Sequence, residues 1–368
     1  MKTFQFQLVI TEKCNLNCSY CYMNKRPKEM TKEVFHKHYE ILPNLMKLHG
    51  ADNYVAAYFG GEPLINWELI EYSVPIFMRD EKCSSIFIAT NGLALGPERQ
   101  EFLRKNNVSL SISFDGLWND INRPLKNGLP SVETYLNLKS ILNMRNCKVM
   151  VGPIRNNITM VENYKWFRDV FGIKSPDFTI IRDDIWSDKD VEIFKTELKD
   201  LTDENIKLIK EGNETLIGWY GLYFLDTYYG RKFGKRKHGC FAGNSGLGFM
   251  PDGKIYPCAR FGSENFHILY DTIKEIEYKK SINLFFNPKI FDPSTYEKCN
   301  TCKLKVICNA GCTFSQLQNG LKVEKEECVP IDNVCKLLKL LYSETGRLIE
   351  EVQNTNTFKK IVRNLLRS

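Results

Sequence analysis

The sequence predicts an α/β protein: an open, partial (β/α)6 barrel of the TIM type, followed by a smaller cysteine-rich domain. Two observations predict this. Apolar strand-like runs alternate with helical spacing through the first half, the pattern of a parallel sheet with crossover helices. Eight of the thirteen cysteines then fall between residues 238 and 335, where helical periodicity is weak. The 368 residues suffice for two or three domains with a core that needs no covalent staples.

Strands are expected at Phe4–Thr11, Tyr54–Phe59, Ser85–Thr90, Val108–Phe114, Cys147–Ile154 and Asp177–Arg182, each but the last followed by a helix. Six strands are too few for a closed eight-stranded barrel, and residues 1–187 fall short of the roughly 250 such a barrel takes. The first helix should run from the N-cap Thr31 to about His49, with Gly50 at its end and a kink or break at Pro43. Residues 188–237 turn largely helical and read as a bridge. In 238–335 a hairpin is signalled by Gly246–Met250 and Lys254–Tyr256 around the turn Pro251-Asp252-Gly253. The tail, 336–368, returns to helical spacing, with Leu337, Leu338, Leu341, Leu348 and Ile349 on one packed face.

Composition narrows the class. Hydrophobic residues make up 43% of the chain and mean hydropathy is -0.33, which excludes wholesale disorder and a polytopic membrane protein. The opening MKTFQFQLVI lacks the parts of a secretory signal, so disulfides explain the thiols poorly. An odd count in short clusters points to metal instead. A net charge of +7 is too modest to imply nucleic acid. The run Arg231, Lys232, Lys235, Arg236 and Lys237 reads as a solvated loop, with steering of an acidic substrate as the alternative.

Cys14, Cys18 and Cys21 lie in TEKCNLNCSYCYMN, directly after the first strand. Three thiolates on a cubane cluster of four irons leave one iron open to an exogenous chelate, such as the amine and carboxylate of an amino acid. Structural zinc needs four closed ligands, and no fourth is near.

This CxxxCxxC loop, with Tyr20 before Cys21, resembles the radical S-adenosylmethionine enzymes. The resemblance implies that the open iron binds S-adenosylmethionine and that cleavage of its sulfonium yields a 5′-deoxyadenosyl radical. Further matches follow at the ends of successive strands. Gly60, Gly61, Glu62 and Pro63 resemble the family's GGEP segment, whose backbone and acid receive the cofactor's ammonium group. Thr90 and Asn91 match its TNG. By the same analogy Ser113 and Asp115 lie beside the ribose and methionine part, and Asn157 is a weaker match after the fifth strand. Asn119, Asp120 and Arg123 resemble an HDxxR pattern with asparagine in place of histidine.

The second constellation is similar to the SPASM domain in seven positions: Cys240, Cys258, Cys299, Cys302, Cys308, Cys312 and a late cysteine. The resemblance implies two auxiliary [4Fe–4S] clusters. Cys299, Cys302, Cys308 and the late cysteine would hold the distal one, with Cys328 favoured over Cys335 by its distance from Cys312. Cys240, Cys258 and Cys312 would hold the nearer one, completed by Cys335, water or substrate. A zinc ribbon on Cys299 to Cys312 is the competing reading. Cys83 and Cys147 read as small buried hydrophobes, with return of a hydrogen atom to a substrate radical as the alternative. The five histidines show no ligand spacing and are expected on the surface.

The resemblance further implies a peptide-modifying maturase that acts on a ribosomally made precursor and draws electrons from a flavodoxin or ferredoxin, with no nucleic acid or membrane partner. A cytoplasmic setting is expected from exposed cubane iron, which needs a reducing compartment, and not from a targeting signal. The first strand begins too early for an N-terminal leader-binding domain. Sulfatase maturases place an aspartate where this chain has Ala259, which makes formylglycine formation the runner-up. Dehydrogenation or epimerisation of a small metabolite is the third reading and would call for a small closed pocket. A non-catalytic cluster scaffold is disfavoured by the intact Cys14, Cys18, Cys21 and GGEP.

Overall fold

A computed structural model describes residues 2–141, 147–151, 158–183, 185–218, 223–228, 240–243, 245–263, 270–271, 296–305, 307–308, 311–323 and 328–367. Its strands are β1 (Thr3–Thr11), β2 (Asn53–Gly60), β3 (Cys83–Thr90), β4 (Ser109–Ser113), β5 (Cys147–Val151), β6 (Asp177–Phe178), β7 (Gly246–Phe249), β8 (Lys254–Tyr256) and β9 (Tyr270–Asp271). Two compact units form: Met1–Val149 with Phe241–Asn287, and Met150–Cys240 with Pro288–Ser368. Each joins two separate stretches of chain, unlike the consecutive segments that the sequence suggests.

In the first unit the strand order is β4-β3-β2-β1-β7-β8-β9. β1 through β4 run parallel, as the alternation with helices predicts. The expected hairpin forms, with Gly253 in the left-handed region at φ 81°. Its first strand also pairs in parallel with β1, from Gln5 opposite Gly246 to Leu8 opposite Phe249. β1 is therefore central, and its Phe6, Leu8, Val9 and Ile10 are fully buried. Edge-to-face contacts of the Phe6 ring with Phe249 (4.4 Å), Tyr54 and Phe77 (both 6.1 Å) knit this layer together.

Helix α1 (Lys32–Leu48) starts as expected, the Thr31 hydroxyl accepting from the Val34 N–H at 3.3 Å. It then runs unbroken through Pro43, against expectation. Pro43 is exposed while Leu42, Leu45 and Met46 are buried, so packing on the opposite face outweighs the lost hydrogen bond. Pro43→Ala should restore that bond and raise stability by about 1–2 kcal/mol after the greater freedom of the unfolded chain is discounted. Chemical denaturation measures this, and a lower midpoint would contradict the account. Two histidines are also placed differently from expectation: His38 and His49 are buried, with His38 Nε2 3.0 Å from the Met250 carbonyl oxygen. His238 and His267 lie outside the described residues.

In the second unit β5 pairs in parallel with β6, Met150 opposite Asp177 and Val151 opposite Phe178. β6 is shorter than the expected Asp177–Arg182, and beyond it the Trp186 indole N–H donates to the Ile181 carbonyl at 2.8 Å. A helix Asp188–Lys210 follows, opened by a capping box between Ser187 and Asp190. It packs against the helix Asp332–Val352, where Leu337, Leu338, Leu341, Leu348 and Ile349 are buried as expected. Among the described residues no helix is long and apolar enough to cross a membrane.

Candidate active site

Strand β1 delivers the first cysteine loop. Its end is tied to the end of β2 by two backbone bonds, Gly61 N–H to the Thr11 carbonyl and Glu62 N–H to the Lys13 carbonyl, both 2.8 Å. A Cβ on Gly60 would stand 2.4 Å from the Thr11 oxygen, and one on Gly61 2.3 Å from the Lys13 oxygen. The glycines therefore serve a close approach, but to the cysteine loop itself.

Glu62, fully enclosed, joins the ends of β2 and β3. Its Oε1 accepts from Thr90 Oγ1 (2.6 Å) and Leu64 N–H (3.1 Å), and its Oε2 from Asn91 N–H (2.8 Å). Three donors of the chain itself already occupy this carboxylate. Burial nonetheless pushes its pKa up. Pro63 opens the short 3-10 turn Pro63–Asn66 that Glu62 caps. Asn91 reaches back to the cysteine loop, its Nδ2 donating to Asn15 Oδ1 at 2.7 Å.

A second brace comes from the end of β4. Asp115 accepts from the Tyr20 hydroxyl at 2.5 Å and pairs with Arg123 at 3.1 Å, while the Arg123 guanidinium lies over the Tyr20 ring. Asn119, where the family pattern has histidine, straps this turn: its Oδ1 accepts from the Asp115 N–H and its Nδ2 donates to Ser131 Oγ. Asp120 Oδ1 accepts from the Ser131 N–H at 3.0 Å. Ser113 sits at the end of β4, part-exposed. Asn157 and the basic run 231–237 lie outside the described residues.

The three loop thiols differ in setting. Burial, reinforced by Glu62 and Cys18, pushes Cys14 up to about 11. Burial also raises Cys18, opposed by the Arg123 guanidinium. Cys21 is exposed. Beside Cys14 a pocket of about 530 Å³ opens broadly to solvent, lined by Lys13, Asn15, Ile65, Leu125, Lys126 and Asn127. It lies beyond the carboxyl ends of β1 and β2, where parallel α/β sheets carry their ligands.

The late cysteines are placed in the second unit. Cys299, Cys302, Cys308 and Cys335 line one small cavity together with Lys298, Lys305 and Lys339. Cys328 is not among the residues lining this cavity; it is buried, its Sγ 3.5 Å from the Thr313 carbonyl oxygen, and it also interacts with Tyr296, as Cys299 does. The spacing argument that favours Cys328 over Cys335 thus differs from this placement, because the first turn of the helix Asp332–Val352 carries Cys335 back to the loop. Cys240 and Cys312 both stand within electrostatic reach of Arg182. In the first unit Cys258 lies against β7, where a Cβ on Gly248 would be 2.4 Å from its carbonyl carbon. Cys83 is part-exposed rather than buried. Among the described residues no three His, Cys, Asp or Glu side chains converge on a point suited to a single metal ion.

Sequence reasoning missed the buried Glu12, gripped by Arg26 through two bonds of 2.5 and 2.7 Å. It also missed Asn24, whose backbone N–H donates to Ser263 Oγ and whose Nδ2 donates to the Ser263 carbonyl, both at 3.0 Å. Glu12 stands two residues before Cys14, but nothing in that spacing marks a partner fourteen residues away.

Comparison with known proteins agrees with this geometry. Residues 8–166 match the model of the radical SAM superfamily. The chain is 23% identical over 372 residues to the radical SAM cyclopropyl synthase TigE of Paramaledivibacter caminithermalis, covering 95% of this chain and 74% of that protein. An uncharacterized protein of Methanocaldococcus jannaschii is 31% identical over 265 residues, 68% of this chain and 83% of its own length. Among solved structures, anSMEcpe with bound AdoMet and Kp18Cys peptide superposes with a TM-score of 0.72 at 19% identity, over 96% of this chain and 100% of that one. The chain belongs to the radical SAM superfamily, whose members use S-adenosylmethionine with a [4Fe–4S] cluster. Three thiols on one loop, with an open pocket beside the first, fit that pair of cofactors.

Proposed function

We propose that the chain is a peptide maturase in which Cys14, Cys18 and Cys21 hold the cluster that engages S-adenosylmethionine, and hydrogen is abstracted from a residue of a ribosomally made peptide. Bound there, the two cofactors supply a hydrogen-abstracting radical. The chain's own residues hold the loop rigid through Gly61, Glu62 and the Tyr20-Asp115-Arg123 brace. Asn91, Ser113 and Asp115 are the candidate contacts of the cofactor. Cys299, Cys302, Cys308 and Cys335 are the candidate ligands of a distal auxiliary cluster.

The observation that carries the substrate class is the broad opening of the pocket beside Cys14. A metabolite enzyme needs a small closed chamber, whereas a peptide needs a cleft with free ends. The likeness to a structure with a bound peptide supports the same reading. Ala259, a buried methyl where sulfatase maturases carry an acid, disfavours formylglycine formation.

Anaerobically reconstituted protein should form 5′-deoxyadenosine and shift the mass of a peptide encoded beside its gene. Cys14→Ala should reduce both to background. Turnover that requires a non-peptide metabolite, or an unchanged 5′-deoxyadenosine yield in the variant, would refute the proposal.

A further inference from the structure

The four thiols gathered in the second unit lie near the surface, and the rim around them is positive. Cys299, Cys302, Cys308 and Cys335 line one cavity, and all four are part-exposed. The charged side chains lining it with them are Lys298, Lys305 and Lys339, and no carboxylate lines it. Lys305 Nζ donates to the Asn300 carbonyl at 3.0 Å, which fixes its charge over the segment between Cys299 and Cys302. Lys339 follows Cys335 by four residues in the helix Asp332–Val352, so both stand on one helix face. Lys298 is paired with Asp332. Among the described residues neither Lys305 nor Lys339 has a carboxylate within ion-pair distance. Lys303, next to Cys302, and Lys336, next to Cys335, are also exposed, and of these two Lys336 is paired, with Asp188 at 2.6 Å. Four thiolates around one cavity fit a cubane cluster, which takes four cysteines. The lysines come from two separate segments, so their charge is spread over a face and not gathered in a pocket.

We infer that this lysine-rimmed face is the docking surface of an acidic one-electron carrier protein, which reduces a cluster held by the four cysteines. The inference rests on the reading of those cysteines as ligands of an auxiliary cluster. A face of one charge steers an oppositely charged protein to it and fixes how the two meet, an effect that salt screens. Part-exposed ligands at the centre of that face give the electron a short way in. One electron leaves the reduced carrier and one enters the cluster, with no bond made or broken.

The test uses full-length protein reconstituted anaerobically, with Cys14, Cys18 and Cys21 replaced by alanine so that only auxiliary signals remain. The probe is a flavodoxin in its hydroquinone form, and stopped-flow absorbance follows reduction of the protein. Lys305→Glu with Lys339→Glu should slow this reduction on the order of tenfold at low salt, and the difference should vanish in about 0.5 M salt. The radical cation of methyl viologen, a small donor of opposite charge, should reduce the variant at least as fast as the parent. Lys37→Glu with Lys47→Glu makes the same change of charge on helix α1, where both lysines are exposed, and should leave the flavodoxin rate unmoved. An unmoved rate in the first pair overturns the inference, as does matched slowing in the second. Equal slowing with both donors overturns it too, because the lysines would then tune the cluster and not the encounter. So does a parent protein that viologen reduces and flavodoxin does not. Iron and sulfide per chain are measured throughout. Should the Glu pair lose iron, Lys305→Gln with Lys339→Gln replaces it, with a fall of a few-fold expected and the same outcomes deciding. Cys299→Ala with Cys302→Ala separates the underlying reading: iron content equal to the parent's would mean that the four cysteines hold no cluster, whatever the lysines bind.

Discussion

Gly61→Ala is expected to displace the first cysteine loop and to cost the protein most of the iron bound there. The added Cβ would lie 2.3 Å from the Lys13 carbonyl oxygen and 2.7 Å from that of Glu12. Both obstacles are backbone, so neither can swing aside as a flexible side chain would. Relief requires lengthening the 2.8 Å bonds from Gly61 and Glu62 to Thr11 and Lys13, which are what hold the loop to the sheet. Overpacking of this kind costs about 1–3 kcal/mol, and more where the contact is rigid. Iron and sulfide per chain after reconstitution measure the effect. Gly96→Ala is the control, because nothing lies within 4 Å of a Cβ there. Equal iron in the two variants would show that the glycine pair does not position the loop.

Removal of Asp115 should have an effect of similar size by a different route. Asp115 and Arg123 are both buried and paired at 3.1 Å. Asp115→Ala leaves the guanidinium without its partner in a site that water barely reaches, at a cost of about 3–5 kcal/mol. It also takes the acceptor from the Tyr20 hydroxyl, one residue from Cys21. Urea denaturation of the metal-free protein gives the number. The double variant Asp115→Leu with Arg123→Met should recover most of the loss, since an apolar pair of similar size is often as stable as a buried ion pair. Failure of the double variant to recover would mean that the damage lies in the turn, where Asn119 and Ser131 meet, and not in the stranded charge.

Much of this architecture is legible in the sequence because its signals are local. Alternating apolar runs mark β1 to β4, Thr31 and Gly50 bracket the first helix, and Pro251-Asp252-Gly253 announces the hairpin. The cysteine loop after β1 is equally plain. What stays hidden is pairing between distant segments. Nothing in Gly246–Phe249 says that it lies beside β1, because a four-residue strand carries no register information about a partner elsewhere in the chain. Pro43 misleads because propensity cannot see the packing of Leu42 and Leu45 that overrides it. The GGEP residues are visible as a signal, but their use is not: the bonds from Thr90 and Asn91 to Glu62 emerge only when β2 and β3 are side by side. Spacing likewise favours Cys328, since the folding back of a helix turn that presents Cys335 has no trace in the intervals between cysteines.

The parallel pairing of β1 with β7 has a consequence for how the protein is made. On the ribosome, the second neighbour of β1 follows it about 240 residues later, some tens of seconds at ordinary elongation rates of roughly 5–20 residues per second. During that interval one side of the strand that carries the cysteine loop has no partner. The loop can therefore reach its final setting only late in synthesis, and a nascent chain cut before Gly246 would leave an adhesive strand margin, prone to capture by other unfolded chains.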